Sequence, residues 1–466
     1  MLPQHLRAPL ALVSIVLAPL SVAADSAPSY PIVDTGQQHC YSDRRQINCT
    51  KLGQHYSGQD AQHLGHQSQY RDNGDGTVTD LVTGLTWMQA RGTKMSWDDA
   101  MRGAAELRLA GHDDWRVPTI KELYSLIDFN GHFNPNGSST PFIDDDSFEF
   151  HYGDRSRGER EIDSQDWSAT EYVGTTMGGA ATVFGVNFAD GRIKGYPKQD
   201  PRRGVKQLYV RYVRGNPDYG TNQFRDNRDG TISDQATALM WSRDDSHQGM
   251  NWQQALAWVE QRNAERYLGY SDWRLPNAKE LQSLVDYRFA PAARNPAARG
   301  PAIDPQFQIS QLSGNEYPFF WSSTTHLDGP SSRQAQNAVY LAFGQAQGWM
   351  GGNRGAEEGG QSDRRPGPPP MRAGRGPDHG GPEHGRPGFG RPGVSNPGFG
   401  QAPPPRPRPS GNGSHTQSAT LMDVHGAGAQ RSDPKAGNPA DYPNGHGPQG
   451  DVVRINNYVR LVRDLN

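Results

Sequence analysis

The amino-acid sequence predicts an α+β fold made of two tandem copies of one domain. A turn signal between two short strands, a charged stretch before a helix and a Trp-Ser strand each occur twice, in the same order. Trp241 follows Trp87 by 154 positions (241 − 87), and Trp321 follows Trp167 by the same number (321 − 167). Each copy is therefore predicted to contain a β-hairpin, two helices, a long loop region and closing antiparallel strands.

Changes in composition and the ends of the repeats divide the chain further. The predicted segments are a signal peptide at 1–24, an irregular disulfide-pinned leader at 25–66, repeat domain one at 67–216, repeat domain two at 220–350 plus 451–466, and a disordered insertion at 351–450.

The first residues have the pattern of a cleaved export signal. A weakly basic start with His5 and Arg7 is followed by an apolar run that two prolines interrupt and small residues end. The alternative, a membrane anchor, needs roughly 20 unbroken apolar residues. We expect a periplasmic or secreted protein with no transmembrane segment after signal cleavage.

Composition and charge restrict the partners. The formal net charge is -3 and the pI about 6.6, so the chain has no overall positive field to attract nucleic acid. Apolar residues make up 33% of the chain, with 55 Gly and 36 Pro, which indicates compact domains diluted by a disordered tract. No nucleic-acid partner is predicted.

The two cysteines, Cys40 and Cys49, lie close together in the leader. In an oxidising compartment this spacing favours a disulfide that closes a short loop. The alternative is half of a metal site, but no nearby pair of histidines completes one. A structural disulfide is the prediction.

Each copy opens with a hairpin signal, at 70–80 and at 224–234. Asp-Gly flanked by β-branched and aromatic residues is typical of a tight β-turn. The cluster of Asp72, Asn73 and Asp75 also suggests calcium, but an EF-type loop needs alternating ligands and a distal Glu. An Asx-stabilised turn is the favoured interpretation, and no metal site is predicted.

The charged stretch Asp-Trp-Arg-x-Pro precedes the second helix of each copy. An N-cap residue three positions before a Glu predicts a capping box. The tryptophans are predicted core anchors and the arginines are predicted to be in ion pairs, with three repeated carboxylates as open alternatives. A ligand-binding role for the arginines is the less favoured alternative. The repeated signature residues are Trp87, Trp115, Arg116 and Glu122 in copy one and Trp241, Trp273, Arg274 and Glu280 in copy two; the candidate partners are Asp114/Asp272, Glu122/Glu280 and Asp128/Asp286.

The last strand of copy two lies further along the sequence than the repeat spacing predicts. Arg460 follows its counterpart Arg211 by 249 positions (460 − 211) instead of 154, which indicates one insertion before it. The inserted sequence is rich in Gly, Pro and Arg, so it is predicted to be disordered and partly polyproline II. A tether and an inert spacer are both open as its role.

Taken together, these motifs resemble the family named after the C-terminal domain of the Legionella collagen-like protein. The shared pattern is GDGT-x-x-D, TGL-x-W, DWR-[LV]-P-x-x-x-EL, W-[ST]-[SA]-T and Y-V-R-x-V-R, with Ala238 in place of the TGL glycine in copy two. The resemblance implies a C-type-lectin-like fold in which long loops present the binding surface. The member that gives the family its name is an adhesin for sulfated glycans, a specificity that is not carried over to this chain.

Catalytic motifs are missing from both copies. The sequence has no GxSxG, no HExxH and no paired His/Cys metal spacing, and both cysteines precede copy one. We therefore predict a non-catalytic exported binding protein with no cofactor, recognising glycans or a cell-envelope or extracellular partner in an adhesin-like role. The alternative is a structural or assembly scaffold of the bacterial envelope. The oligomeric state is not predicted.

The predicted ligand-binding surface combines aromatic and basic side chains, which suit anionic sugars. For its two tryptophans, core packing is the open alternative. The candidate residues are Trp167, Trp321, Arg155, Arg157, Arg160 and Arg192.

Overall fold

The computed structural model describes residues 27–200, 204–351, 419–447 and 449–465. The predicted signal peptide and most of the predicted insertion lie outside these residues. The chain divides into a large unit, Met1–Trp349 with Leu421–Asn466, and a small unit, Met350–Thr420. Both repeats belong to the large unit. Among the described residues, no helix is long and apolar enough to cross a membrane.

The leader and repeat one supply the first eleven strands and two helices. They are β1 (Cys40–Tyr41), β2 (Gln46–Ile47), β3 (Tyr70–Asp72), β4 (Thr77–Asp80), β5 (Leu85–Met88), α1 (Trp97–Glu106), α2 (Ile120–Ser125), β6 (Gln165–Glu171), β7 (Thr182–Asn187), β8 (Arg192–Pro197), β9 (Gln199–Asp200), β10 (Gly204–Val205) and β11 (Val213–Gly215).

Repeat two follows the same order. Its elements are β12 (Phe224–Asp226), β13 (Thr231–Asp234), β14 (Leu239–Ser242), α3 (Trp252–Ala264), α4 (Ala278–Ser283), β15 (Phe319–His326), β16 (Asn337–Ala342), β17 (Gln347–Met350), β18 (Thr420–Asp423), β19 (Gln430–Pro434) and β20 (Val462–Asp464). The prediction of a mixed α+β protein with tandem domains is confirmed.

Each repeat has an outer sheet of four antiparallel strands, in the order β11-β5-β4-β3 and β20-β14-β13-β12. The closing strand pairs with the strand that carries a signature tryptophan, Val213 opposite Trp87 and Val462 opposite Trp241. The beginning and the end of each repeat are thereby joined.

The two repeats share a central six-stranded sheet, in the order β15-β16-β19-β8-β7-β6. Strand β19 is its junction, with Arg431 opposite Tyr340 in repeat two and Gln430 opposite Ile193 in repeat one. The sheet is therefore continuous only because β19 lies between β16 and β8.

The predicted boundary of the insertion at residue 450 needs correction, because β18 and β19 lie inside the predicted disordered range. The two strands were missed because they follow directly on a Gly/Pro-rich tract and were included in it by composition. Strand β19 gives no hydrophobic alternation either, since its buried residues include Gln430 and Asp433. Their polar groups find hydrogen-bond partners within the fold, as Asp433 does with the amides of Arg454 and Ile455.

The leader is irregular and pinned by a disulfide, as predicted, and much of it is also buried in the core. Val33 is fully buried, and the disulfide between Cys40 and Cys49 is confirmed. The Gln37 amide donates to the carbonyls of Phe129 (3.3 Å) and Thr325 (2.8 Å), one in each repeat. The leader thus connects the two repeats from inside.

Asp60 fastens the leader to repeat two. Its Oδ2 accepts hydrogen bonds from the hydroxyls of Thr35 (2.7 Å) and Thr324 (2.5 Å). Burial raises the pKa of Asp60 from 3.8 to about 7, because the charged carboxylate loses its hydration.

This shift predicts a pH-dependent stability. The folded state holds the Asp60 proton more tightly than the unfolded chain, so the stabilisation is complete below about pH 4 and is lost as the pH rises to about 7. Between pH 4 and pH 7.5 we expect the wild type to lose on the order of 3 kcal/mol of unfolding free energy relative to Asp60→Asn, because the variant has no group to titrate at this position. Urea unfolding of both proteins at several pH values measures it. A difference that does not change with pH contradicts the assignment.

The repeated Arg and Glu of the signature have a precise structural role. Glu122 accepts from the Thr119 amide (2.7 Å), closing the capping box of α2, and pairs with the Arg116 guanidinium. Glu280 does the same in α4, with Asn277 and Arg274. Of the three candidate partners, Glu122 and Glu280 are therefore the ones that the arginines contact.

The aspartates of the same stretch bind the closing strands instead. Asp114 accepts from Arg214 Nε at 2.6 Å and Asp272 from Arg463 Nε at 2.8 Å. These two equivalent ion pairs thus connect the start of each second helix to the last strand of its repeat.

The two second helices contact each other reciprocally. Lys121 Nζ in α2 donates to the carbonyl of Ser283 at the end of α4, and Lys279 Nζ in α4 donates to the carbonyl of Ser125, both at 2.8 Å. The repeats therefore face each other with the same residues, in the manner of an approximate two-fold axis.

One buried arginine in each closing segment holds the long loop. Arg460 donates to the carbonyls of Ser242 (2.8 Å) and Gln308 (2.7 Å), and Arg211 to those of Met88 (2.8 Å) and Glu149 (2.7 Å). Neither side chain is exposed. Burial lowers the pKa of Arg460 to about 10 and that of Arg211 to about 9.

Candidate functional site

The predicted aromatic residues of the binding surface, Trp167 and Trp321, are core residues. Both are completely buried, and their indole N–H groups donate to the carbonyls of Met95 (3.0 Å) and Met250 (2.9 Å). They belong to two separate hydrophobic clusters, one in each repeat. Neither ring has a free face for a sugar, so this part of the predicted site is corrected.

Arg155, Arg157 and Arg160 lie together on an exposed loop of repeat one. Each already has a carboxylate close by, namely Glu161 at 2.7 Å, Asp154 at 3.2 Å and Asp163 at 2.7 Å, respectively. Exposed pairs of this kind contribute little free energy. The loop is a charge-balanced surface.

Arg192 lies apart from that loop, in the central sheet, and is mostly buried. Its guanidinium contacts Asp328 at 2.6 Å and Asp190 at 3.3 Å, and Lys194 Nζ contacts the same Asp190 at 2.9 Å. Burial removes hydration from the Lys194 ammonium, and nearby positive charge acts in the same direction. The pKa of Lys194 is therefore lowered to about 7.

The other side of this junction has a matching group of charges. The Asp451 carboxylate accepts from His425 Nε2 at 2.9 Å and pairs with Arg431 of β19. Burial lowers the pKa of His425 well below its usual range, so this ring is neutral. Each of these cations has a carboxylate, which indicates structural ion pairs on both β8 and β19.

A concave site lies at the edge of repeat two, where sequence reasoning placed none. It is a cavity of about 530 Å³ whose lining is mixed, with more polar than apolar surface. Three segments far apart in sequence build it: the disulfide loop of the leader, the loop between β15 and β16, and the residues that follow β19. The lining residues are Asp43, Arg44, Ser332, Arg333, Gln336, Ala436 and Gly437.

Lys435 holds these three segments together. Its buried Nζ donates to the Ser42 carbonyl (2.9 Å) and to the Thr325 hydroxyl (2.7 Å), and it lies 4.1 Å from the centre of the Trp252 ring. Its backbone N–H donates to the Gln336 carbonyl at 2.9 Å. Burial lowers the pKa of Lys435 well below its usual range.

The disulfide restrains the remaining wall. Cys40 and Cys49 close the short hairpin that carries Arg44, and the Arg44 carbonyl accepts from the Ala335 amide at 3.3 Å. The side chains around the cavity therefore project from a fixed backbone. Such preorganisation reduces the entropy that a ligand loses on binding.

The lining offers hydrogen-bond donors and acceptors of several kinds. The guanidiniums of Arg44 and Arg333 donate only, the Asp43 carboxylate accepts only, and the Ser332 hydroxyl and Gln336 amide do both. Arg44 and Arg333 are exposed. A ligand with many hydroxyl groups, or with hydroxyl and acidic groups, matches this set.

A second, smaller cavity of about 250 Å³ lies in repeat one beside the hairpin tip. Its polar wall is acidic, with Asp145, Asp146 and Glu149. Among the described residues, no group of three or more His, Cys, Asp and Glu side chains is arranged to hold a metal ion. At the hairpin tip, Asp72 and Asp75 accept from the amides of Gly74 (2.8 Å) and Thr77 (3.1 Å), which is the Asx turn that we favoured.

One set of residues resembles a catalytic triad in type only. Ser310, His247 and Asp245 lie together, but the Ser310 hydroxyl donates to Asp245 at 2.7 Å and is 3.4 Å from His247 Nδ1. In a triad the serine donates to the histidine and the aspartate orients that histidine. This arrangement does not activate the serine.

The fold and the site together define a tandem α+β repeat protein with a concave, mainly polar site in repeat two. The model of the family described as the Lcl C-terminal domain matches residues 76–214 and 230–358, so the chain belongs to that family. No curated protein and no solved structure matches the chain. Family membership supports a binding role of the adhesin-like kind.

Proposed function

We propose that this chain is a non-catalytic exported binding protein that recognises glycans through the cavity of repeat two, in an adhesin-like role. The observation that carries the proposal is the polar cavity itself, with Arg44, Arg333, Ser332 and Gln336 on a backbone fixed by Lys435 and by the disulfide. Concave sites with converging polar groups are the usual places of ligand recognition.

The assignment to glycans depends on the chemistry of the lining. Sugar hydroxyls both donate and accept, and the cavity presents planar donors, a carboxylate acceptor and two bifunctional groups. The arginines favour sugars with an acidic substituent, since a guanidinium forms two parallel bonds to an oxyanion.

The experiment is a glycan-array screen of residues 25–466, followed by affinity measurement on a glycan that binds. For Arg44→Ala and for Arg333→Ala we expect the affinity to fall at least tenfold, because a hydrogen bond to a charged group contributes about 1.5–3 kcal/mol. Calcium and a chelator are compared in parallel, and we expect the same affinity with both.

Arg157→Ala is the matched control, because Arg157 is an exposed arginine in repeat one that pairs with Asp154. We expect its affinity to equal that of the wild type. Equal losses in all three variants indicate a general charge effect instead of this cavity. No binding to any glycan, with or without calcium, favours the envelope scaffold as the function.

A further inference from the structure

A lysine, a carboxamide and a carboxylate lie in a row where repeat one meets the start of repeat two. Lys121 Nζ of α2 donates to Asn222 Oδ1 at 2.8 Å, and Asn222 Nδ2 donates to Asp234 Oδ2 at 2.8 Å. Asn222 lies two residues before β12, and the fully buried Asp234 ends β13. The amide is therefore held between an amine and a carboxylate that act on its two ends.

Burial makes the neutral form of Lys121 more accessible than that of an exposed lysine. Loss of hydration lowers the pKa of Lys121 to about 8, against the opposing charges of Asp234 and Asp286, and Arg288 lowers it further. The Tyr30 ring is centred 5.7 Å from Nζ. A neutral amine is a nucleophile, and a desolvated lysine is the usual way in which proteins obtain one.

The other three lysines with lowered pKa values lack a carboxamide beside Nζ. Lys279 donates to the carbonyls of Asp34 and Ser125, and Lys435 to the Ser42 carbonyl and the Thr325 hydroxyl. Lys194 contacts the Asp190 carboxylate, which is held ionised and so resists attack by an amine. The reactive combination occurs at Lys121.

We propose that Lys121 and Asn222 form an intramolecular amide bond, with Asp234 as the group that transfers the proton. Nζ attacks Cγ of Asn222 and a Nζ–Cγ bond forms. Asp234 accepts a proton from Nζ and delivers it to Nδ2, the Cγ–Nδ2 bond breaks, and ammonia leaves. No oxidant or cofactor enters the reaction, and the chain loses one ammonia, roughly 17 Da.

Asp234 is well placed for this role. Its two oxygens also accept from the Gln223 amide (2.8 Å) and the Thr237 hydroxyl (2.8 Å), which fix the carboxylate against the asparagine. A positioned acid–base group of this kind accelerates proton transfer by about a hundredfold or more. The bond that results joins α2 of repeat one covalently to the strand that enters repeat two.

The test is the mass of the purified protein under denaturing conditions, followed by tryptic mapping. After incubation at pH 9 we expect the chain to be lighter than its sequence mass by one ammonia, beyond the disulfide. We also expect a branched peptide in which Lys121 is uncut and joined to the peptide containing Asn222. The deficit grows faster at pH 9 than at pH 6, because more of the amine is neutral.

Lys121→Arg removes the deficit, whereas the matched variant Lys279→Arg, at the equivalent position of α4, retains it. For Asp234→Asn we expect the bond to form about a hundredfold more slowly. Cleavage after Lys121 together with an unlinked Asn222 peptide, in wild type kept at pH 9, overturns the proposal. That result comes from the wild type alone, so it does not depend on whether a variant folds.

Discussion

Replacing Arg460 by lysine is expected to lower the free energy of unfolding by about 3–5 kcal/mol. Arg460 is completely buried and donates to the carbonyls of Ser242, at the end of β14, and of Gln308, in the long loop before β15. A lysine ammonium has no planar fork to reach both, and each buried carbonyl left unpaired costs about 1–3 kcal/mol. Guanidinium unfolding followed by tryptophan fluorescence measures the change.

The matched control is Arg288→Lys, which makes the same exchange at an exposed arginine that pairs with Asp286. We expect a change below about 1 kcal/mol, since exposed pairs contribute little. Arg211→Lys should repeat the large effect in repeat one, because Arg211 has the same pattern of carbonyl contacts. If Arg460→Lys is as mild as Arg288→Lys, the loops are held by other contacts.

The second large effect concerns the strands that follow the Gly/Pro-rich tract. A chain that ends at Trp349 lacks β19 and β20, so the central sheet loses its junction and the outer sheet of repeat two loses its closing strand. We expect this truncated chain to be insoluble, because unpaired strand edges and exposed apolar core promote aggregation.

The complementary experiment keeps β19 and β20 and removes the tract between β17 and β18. Strands β17 and β18 form one two-stranded sheet, so a six-residue Gly/Ser linker in place of residues 352–418 can connect them. We expect this variant to be folded and more stable by roughly 2 kcal/mol, because loop-closure entropy falls with a tenfold shorter loop. Loss of soluble protein in the linker variant contradicts the assignment of residues 352–418 as an insertion.

Local signals in the sequence were enough to predict the repeat architecture. The spacing from Thr119 to Glu122 defines a capping box by itself, and the hairpin tip with Asp75 contains its own turn chemistry. These features depend on residues within a few positions of one another. Their counterparts in repeat two, such as Asn277, follow the same rules.

The site could not be predicted in the same way, because its walls come from three distant segments. Nothing near Lys435 in the sequence shows that its Nζ reaches Ser42, almost four hundred positions earlier. Trp167 and Trp321 were chosen as aromatic residues beside basic ones, but tryptophan is also a large core residue, and only tertiary packing decides between the two. The apolar Leu421, Met422 and Val424 were the one signal that the Gly/Pro-rich tract ends before residue 450.

The position of β19 also has a consequence for the time at which the protein folds. During synthesis, β6, β7 and β8 of repeat one are complete long before the ribosome reaches residue 430, yet β8 has no partner on its other side until then. The closing strand of repeat two, β20, comes later still, at Val462–Asp464. Because β19 lies between β16 and β8, the six-stranded sheet forms only after residues 430–434 are available, and not repeat by repeat, and long-range pairing of this kind is slow.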